Sequence, residues 1–259
     1  MAAADQLVAI GASAGGLEPL QEFFDAMPAD TGMAFVVVQH LSPDHPSLMD
    51  ELLARHTKMR VARAEHGMDA EPNTVYVIQP KKYLRILHGQ FQLTDQARER
   101  EKPPTPIDVF FESMAEDYAE RGAAIVLSGT GSDGSRGIRV VREAGGRTIA
   151  QDVTAKFDGM PRAAIETDSI DMILPPTDMP SFLMGNEDEE GIRPSLVNTT
   201  PGVYEVLEVL RERHGIDFAQ YKITTVLRRI ERRVQLTHAT SVRRYLDELE
   251  RSEEEQDRL

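Results

Sequence analysis

The stretch LVAIGASAGGLEPLQEFFDAM, residues 7–27, decides the fold. Its first four residues are all apolar, which is typical of a strand buried on both faces of a sheet. The glycine-rich segment GASAGG, residues 11–16, allows a sharp turn, and residues 17–27 then carry apolar side chains at helical spacing. A buried strand that turns directly into a helix is the first half of a βαβ unit. The stretch therefore predicts a parallel sheet with crossover helices.

The same alternation of short apolar runs and helical patterns continues to about residue 184. Further strands are predicted at 34–38, 75–78, 124–127, 147–150 and 171–174. Further helices are predicted from near Pro46, over 107–121, over 135–144 and near 161–167. Two short runs on either side of His88-Gly89-Gln90 predict a hairpin. The first part of the chain is thus expected to be an α/β domain with a mostly parallel sheet.

The last 75 residues have a different character. Residues 187–190 are four successive acidic residues in a segment rich in helix breakers, so we predict an acidic linker over 185–200. Beyond it no strand pattern occurs, and helices are predicted at 201–214, 221–237 and 241–251. The expected organisation is a domain at 1–184, the linker, and a small all-α domain at 201–259.

Composition excludes several classes of protein. Hydrophobic residues at 41% and charged residues at 28% are ordinary globular values, so a disordered or fibrous chain is not expected. The absence of cysteine excludes disulfides, thiolate metal sites and a cysteine nucleophile. A net charge of −14 argues against general nucleic-acid binding. No apolar run is long enough to span a membrane and the N-terminus lacks a signal core, so we expect a soluble, cytoplasmic protein without membrane insertion.

Three polar residues follow directly after predicted strands, where the ligands and catalysts of parallel sheets gather. They are Ser13, His40 and Asp133, a nucleophile, a base and a carboxylate that could orient the base. Ser13 lies in a G-x-S-x-G pattern, whose glycines permit a turn that exposes the hydroxyl near helix-start amides. The three residues together indicate acyl transfer.

Other interpretations of the glycine-rich turn remain open. It can simply pack a helix on a sheet, or it can be a dinucleotide-binding fingerprint. Against the latter, Ser13 takes the place of the middle glycine and Gln39-His40 stands where a ribose-binding acid is expected. The order Ser, His, Asp also differs from the Ser, Asp, His order of α/β-hydrolases.

His40 and Asp133 have alternatives of their own. His40 can be a core histidine, or a metal ligand with Asp44 and His45, although the loop that carries them has no recognisable metal spacing. Asp133 can be a turn residue or a helix cap. Its loop SGTGSDG, residues 128–134, could cradle a phosphate but lacks the lysine of a P-loop. We expect no metal and no cofactor.

Four segments resemble the catalytic domain of the chemotaxis methylesterase CheB. They are GASAGG, VVVQH, VLSGTGSDGSRGIRVVREAGGRTIAQD and FDGMPRAAIETDSID, and the resemblance covers residues 5–184. It implies a three-layer, Rossmann-like α/β fold. It also implies hydrolysis of glutamate γ-methyl esters on chemoreceptors, and in many members deamidation of receptor glutamine. The family's catalytic residues fall on Ser13, His40 and Asp133.

This chain departs from the family pattern at two positions. Ala14 follows the nucleophile where the stand-alone enzymes often have Thr, and Thr130 takes a loop position that is commonly Met. The backbone amides of Ala14 and Thr130 are the candidates for oxyanion stabilisation. The receiver domain that usually precedes this catalytic domain is expected to be missing, so control by phosphorylation through that domain is not expected.

The C-terminal segment TVLRRIERRVQLTHATSVRRYLDEL, with Gly215-Ile216-Asp217-Phe218 before it, resembles the N-terminal helical domain of the chemotaxis methyltransferase CheR. The chain thus looks like the front of a methylesterase–methyltransferase fusion. The AdoMet-binding lobe is expected to follow Leu259, and these residues are expected to have no methyltransferase activity.

A basic stripe in this segment has a functional and a neutral interpretation. The arginines share one side of a predicted helix: Arg228, Arg229, Arg232 and Arg233. A solvated charged face is the default interpretation. The resemblance implies contact with receptor helices, and arginines suit the recognition of carboxylates.

The function predicted from these features is a serine protein-glutamate methylesterase in chemotaxis-type adaptation. Its expected partners are the cytoplasmic helices of methylated chemoreceptors, with a chemosensory histidine kinase or response regulators as further candidates. One alternative is a catalytically weak regulatory or scaffold module of a chemosensory-like pathway. Another is a nucleotide-binding domain, which NAD binding to the first domain would support.

Overall fold

The computed structural model describes residues 3–39, 48–95 and 105–185, and short stretches of the C-terminal part. Those stretches are 205–206, 209–211, 230, 233–234, 237, 239, 242–252 and 255–256. The chain divides into two compact units, Met1–Glu187 and Asp188–Leu259. Apart from Gly185, the predicted acidic linker lies outside the described residues.

The first unit is built on a parallel sheet, as predicted. Its described strands are β1 (Leu7–Ala12), β2 (Ala34–Gln39), β3 (Arg60–Arg63), β4 (Thr74–Val77), β5 (Lys82–Leu87), β6 (Gln90–Asp95), β7 (Gly122–Val126), β8 (Arg147–Gln151) and β9 (Met172–Leu174). Seven of them pair in parallel in the order β3-β4-β2-β1-β7-β8-β9. The other two, β5 and β6, form a separate antiparallel hairpin, as the sequence predicts.

Helices cover both faces of this sheet. The described helices of the unit are α1 (Leu17–Ala26), α2 (Met49–Leu53), α3 (Pro106–Tyr118), α4 (Ser135–Glu143), α5 (Gly159–Ile165) and α6 (Met179–Leu183). Buried side chains of α3, α4, α5 and the hairpin share one apolar cluster, and those of α1, α2 and α6 share another. Strand β1 supplies both, since Leu7 and Ala9 join the first cluster and Val8 and Ile10 the second. The predicted three-layer α/β fold is confirmed.

The strand order reverses direction at β1. The chain goes from β1 to β2 on one side, adds β4 and β3 beyond it, and returns to place β7 on the other side of β1. In register, Gly11 pairs with Val38 of β2 and with Val126 of β7. The C-terminal ends of β1, β2 and β7 therefore lie side by side, and such a switch point is where parallel sheets bind ligands.

Two local predictions differ from the structure. Strand β3 was not predicted because its sequence, RVAR, has charged ends and is not buried. It pairs with β4 at the edge of the sheet, where charged residues are common because they discourage further pairing. The helix expected from near Pro46 begins at Met49 in the described residues.

The starts of α3 and α4 pack unusually close together. A Cβ atom on Gly137 would lie 2.5 Å from Cβ of Phe111 and 3.2 Å from Cα of Asp108. Both distances are below normal van der Waals contact, and neither neighbour is the free end of a flexible side chain. Glycine at position 137 therefore allows the two helices to touch.

The second unit is helical in its described part. Helix α7 (Val242–Leu249) buries Val242, Tyr245 and Leu249. Val206, Leu210 and Ile230 are buried as well. Across both units, no described helix has the length and apolar character needed to cross a membrane.

We predict that Gly137→Ala destabilises the first unit, because the added methyl group must push apart backbone and core atoms. The expected loss in the free energy of unfolding is roughly 2 kcal/mol, measured by thermal or denaturant unfolding of the chain. Arg139→Ala is the matched control, since Arg139 is exposed on the same helix and its removal should change stability little. Equal stability of the two variants would contradict the close-packing argument.

Candidate active site

Ser13 is the first residue after β1 and is tied to both neighbouring strand ends. Its amide donates to the carbonyl of Ser128 at 3.0 Å, just after β7. Its own carbonyl accepts from the Gly16 amide at 3.0 Å and lies 3.5 Å from the side-chain nitrogen of Gln39 at the end of β2. The side chain of Ser13 is half-buried. The serine thus has a fixed backbone at the switch point.

His40, the predicted base, lies outside the described residues, as do Asp44 and His45 of the alternative metal site. What the structure gives is the strand that leads to His40, since β2 runs beside β1 and ends at Gln39. Within the described ranges, no three histidine, aspartate or glutamate side chains are grouped so that they could hold a metal ion.

Asp133 is buried in the loop between β7 and α4, and its carboxylate faces the start of α3. One oxygen accepts from the amide of Ile107 and the other from the amide of Asp108, each at 3.0 Å. Thr105, which precedes α3, makes no side-chain capping bond of its own. Asp133 therefore caps a helix, but a helix 26 residues earlier in the chain. Its two oxygens satisfy amides that the start of a helix leaves without a partner inside the helix.

Asp108 makes the reciprocal contact. Its Oδ1 accepts from the amides of Gly134 and Gly137, at 3.0 and 2.8 Å, where α4 begins. Burial raises the pKa of Asp108, the bond from Gly137 opposes that rise, and the nearby charge of Asp133 adds to it. Sequence reasoning gave Asp108 no role, and its one signal was an acidic residue in the first turn of a predicted helix.

Ser128 joins three segments around Ser13. Its amide donates to Oε1 of Gln151 at 2.9 Å. Its hydroxyl accepts from the amide of Phe157 and donates to the carbonyl of Ala14, both at 3.0 Å. Ser128 is fully buried, and its bond to Gln151 is buried as well. Neither Ser128 nor Gln151 was assigned a role from sequence, because the partners lie 23 and 114 residues apart in the chain.

The two oxyanion candidates lie on the two segments that border Ser13. Ala14 follows it, and Thr130 follows Gly129, where an added Cβ would be 2.9 Å from Cβ of Ser13. The peptide between Gly129 and Thr130 therefore starts beside the serine side chain. In the described ranges, the amides of Ala14 and Thr130 donate to no protein acceptor. Free amides are what an oxyanion site requires.

Asp152, directly after β8, is a buried carboxylic acid that sequence reasoning missed. Its Oδ1 accepts from the amide and hydroxyl of Thr154, at 3.1 and 2.6 Å. Its Oδ2 is buried and has no hydrogen-bond partner among the described residues. Burial raises the pKa of Asp152, the Thr154 bonds lower it, and the charge of Asp178 raises it. The charged form of Asp152 is therefore costly in the folded protein.

Of the four arginines predicted to contact receptors, the structure describes one, Arg233. Arg228, Arg229 and Arg232 lie outside the described residues. Arg233 makes a two-pronged ion pair with Glu255, which also accepts from the hydroxyl of Tyr245 at 2.9 Å. The side chains of Arg233 and Glu255 are only 17% and 7% exposed. In the second unit, Arg233 thus has a structural ion pair of its own.

The fold and these contacts define a class of protein: a doubly wound α/β domain whose polar site lies at the strand-order switch. Family models match both units. Residues 8–183 match the CheB methylesterase family, and residues 204–259 match the all-alpha domain of the CheR methyltransferase. The chain belongs to the CheB methylesterase family and continues into a CheR-type all-alpha domain, as the resemblance of its two segments implies.

Individual proteins agree with the family assignment. The CheB methylesterase catalytic domain of Thermotoga maritima, whose crystal structure is known, has 30% sequence identity to this chain. The two structures superpose with a TM-score of 0.64, over 70% of this chain and 98% of that one. Protein-glutamate methylesterase/protein-glutamine glutaminase 1 of Cupriavidus pinatubonensis is 38% identical over 177 residues, 68% of this chain and 52% of that protein. A 104.1 kDa protein of Rhodobacter capsulatus is 36% identical over 226 residues, 77% of this chain and 24% of that protein. The chain thus spans about half or less of these two relatives.

We predict that Asp152→Asn stabilises the protein at neutral and basic pH. Because the folded-state pKa of Asp152 is raised, the wild-type protein loses stability as the pH rises above the acid's unfolded pKa, and asparagine does not titrate. Removing a buried charge whose Oδ2 has no hydrogen-bond partner among the described residues should be worth about 1 kcal/mol or more, or roughly 2–4 °C in Tm. The difference in Tm should shrink between pH 8 and pH 4.5, and a difference that is the same at both pH values would contradict the assignment.

We also predict that Arg233→Met destabilises the helical unit, since it leaves Glu255 buried without its cation. The expected loss is roughly 3 kcal/mol, followed by circular dichroism on heating. Arg243→Met is the control, because Arg243 is exposed on α7. If both variants melt together with the wild type, the ion pair does not stabilise this unit.

Proposed function

We propose that the first unit is a protein-glutamate methylesterase that hydrolyses γ-methyl esters of glutamate on chemoreceptors. The observation that carries this proposal is the match of residues 8–183 to the CheB methylesterase family, with relatives that bear the name of this activity. The position of Ser13 at the switch point and the capped carboxylate of Asp133 on the neighbouring loop support it. The names of the relatives also suggest glutaminase activity on receptor glutamine.

The proposed reaction is acyl transfer in two halves. The Ser13 hydroxyl attacks the γ-carbonyl carbon while His40 takes its proton, and the tetrahedral intermediate then expels methoxide, which receives that proton and leaves as methanol. Water attacks the resulting acyl-serine ester with His40 again as the base. The serine oxygen takes the proton back, and glutamate is released. Asp133 keeps the imidazole in the required tautomer and stabilises its cation.

Backbone amides stabilise the negative oxygen of the tetrahedral intermediate and hold the Asp133 carboxylate in this mechanism. The negative oxygen of the tetrahedral intermediate would accept from the amides of Ala14 and Thr130, which donate to no other described protein group. The Asp133 carboxylate accepts from two amides of α3, which hold it in place. Backbone amides explain how Ala14 and Thr130 could serve although their side chains differ from the usual family residues.

For the second unit we propose a binding role toward the same receptors. We assign the contact with receptors to three of the predicted residues, Arg228, Arg229 and Arg232, because Arg233 is already paired with Glu255. The partners would be the acidic cytoplasmic helices of methylated receptors. The protein would therefore act in the cytoplasm. A chemosensory histidine kinase or response regulators are further proposed partners.

We expect Ser13→Ala to lower the rate of methanol release from membranes with methylated receptors by at least about 10³-fold, because the acyl-enzyme can no longer form. Methanol is the readout, since it reports cleavage of the ester itself. Ser132→Ala is the matched control, an exposed serine of the loop after β7. A wild-type rate in the Ser13→Ala variant would refute the nucleophile assignment.

A further inference from the structure

Phe157 exposes an aromatic ring beside Ser13. It is 39% exposed. Among the described residues, two other large hydrophobic side chains, Leu48 and Leu87, are also exposed. A Phe ring left in water loses the stabilisation that burial would give it. Apolar rings that stay exposed next to a functional site are commonly binding contacts.

Phe157 contacts both segments that border the serine, one through its ring and the other through its backbone. An added Cβ on Gly15 would lie 2.8 Å from Cδ2 of Phe157, so the ring lies directly on the turn two residues after Ser13. On the other side, the Phe157 carbonyl accepts from the Gly129 amide at 2.9 Å, and its amide donates to the Ser128 hydroxyl at 3.0 Å. Gly15 has a φ of 68°, a conformation that favours glycine, and the absence of a side chain at this position leaves space for the ring.

These backbone bonds do not need an aromatic side chain. An alanine at position 157 could make both of them, so the ring itself contributes only its packing on Gly15 and its exposed surface. That division makes Phe157 suitable for substitution, because the loop beside Ser13 keeps its hydrogen bonds.

The surroundings of the ring are open. Gly15, Thr130, Gly131 and Lys156 are all exposed, so the ring forms part of an outer surface that borders the serine. Closed, concave pockets suit small ligands, whereas an exposed anchor on an open surface suits a macromolecule. The ring is therefore better suited to a side chain of a polypeptide than to the single methyl group of an ester.

We propose that the Phe157 ring binds an apolar side chain of the substrate polypeptide, next to the methylated glutamate, and so determines which methyl esters the enzyme selects. This inference rests on the proposed esterase function and adds a specificity-determining residue to it. Ring contact holds the substrate while Ser13 reacts with the ester. Loss of the ring should raise KM for such a polypeptide and leave kcat almost unchanged, because the contact is the same before and during reaction.

The test uses two synthetic helical peptides with one glutamate γ-methyl ester. One carries leucine four residues from the ester, which is the same face of a helix, and the other carries alanine there. The small ester N-acetylglutamate γ-methyl ester amide is the third substrate. Wild-type chain, Phe157→Ala and Phe157→Leu are compared by methanol release, and the binding of both peptides is measured in a Ser13→Ala background.

The expected result is a loss in kcat/KM of about 10-fold for Phe157→Ala on the leucine peptide, mostly in KM. The alanine peptide and the small ester should change little. Phe157→Leu, which keeps an apolar surface, should recover most of the loss. In the Ser13→Ala background, the additional Phe157→Ala change should weaken binding of the leucine peptide alone.

Leu87→Ala is the matched control. Leu87 is 54% exposed, but it lies next to the hairpin turn whose amides bond to Asp117, near the end of α3. Asp133 bonds to the start of that helix, and the ten residues from Ile107 to Asp117 span about 15 Å. Leu87→Ala should therefore leave all three substrates unaffected.

Two failures can be told apart. If the wild-type chain cleaves none of the three esters, the proposed function is wrong and this inference is wrong with it. If the wild type cleaves them but prefers the leucine peptide no more than the alanine peptide, the inference alone is overturned. That comparison needs no variant to fold. An equal loss on all substrates in Phe157→Ala also overturns it, since the ring would then only support the loop.

Discussion

Asp108 and Asp133 hold the starts of helices α3 and α4 together. Asp133, just before α4, accepts from two amides at the start of α3. Asp108, in the first turn of α3, accepts from two amides at the start of α4. Four backbone donors that a helix start leaves without partners are satisfied in this way, out of reach of water. Burial raises the pKa of Asp108, and the bonds from the amides of Gly137 and Gly134 oppose that rise. The remaining contacts of the site depend on this crossed pair, because it fixes the loop that follows β7.

That loop carries Thr130 and Asp133 of the candidate site and borders the turn that carries Ser13. Ser128 at its beginning bonds to Ala14, Phe157 and Gln151, and a Cβ added to Gly129 would lie 2.9 Å from Cβ of Ser13. Close packing accompanies these polar contacts, since a side chain at Gly137 would collide with Phe111 and one at Gly129 with Ser13. Small residues and buried hydrogen bonds thus act together to hold the turn after β1, the loop after β7 and the start of α3 against one another.

Much of this could be predicted from sequence, for a local reason. A strand that is buried on both faces must be apolar throughout, and a strand that turns at once into a helix needs glycine, so β1 and its turn are visible in residues 7–16. Edge strand β3 was not, because at the border of a sheet an RVAR sequence needs no continuous apolar pattern. Asp108, Ser128, Gln151 and Asp152 were missed since polar residues common in turns and helix starts have no local signal for a distant partner.

The sequence by itself determined the class of fold, the strand ends where chemistry can occur, and the family to which the first 184 residues are similar, because these depend on local periodicity and on residues close in the chain. Only the tertiary structure decided which amides Asp133 accepts from, that Arg233 is held by Glu255, and that Phe157 lies on Gly15. Each of these contacts joins residues that are far apart in the chain, 22 residues for Arg233 and Glu255 and more for the others. Which of the possible polar partners is chosen follows from how sheet and helices pack, and that is a property of the folded chain as a whole.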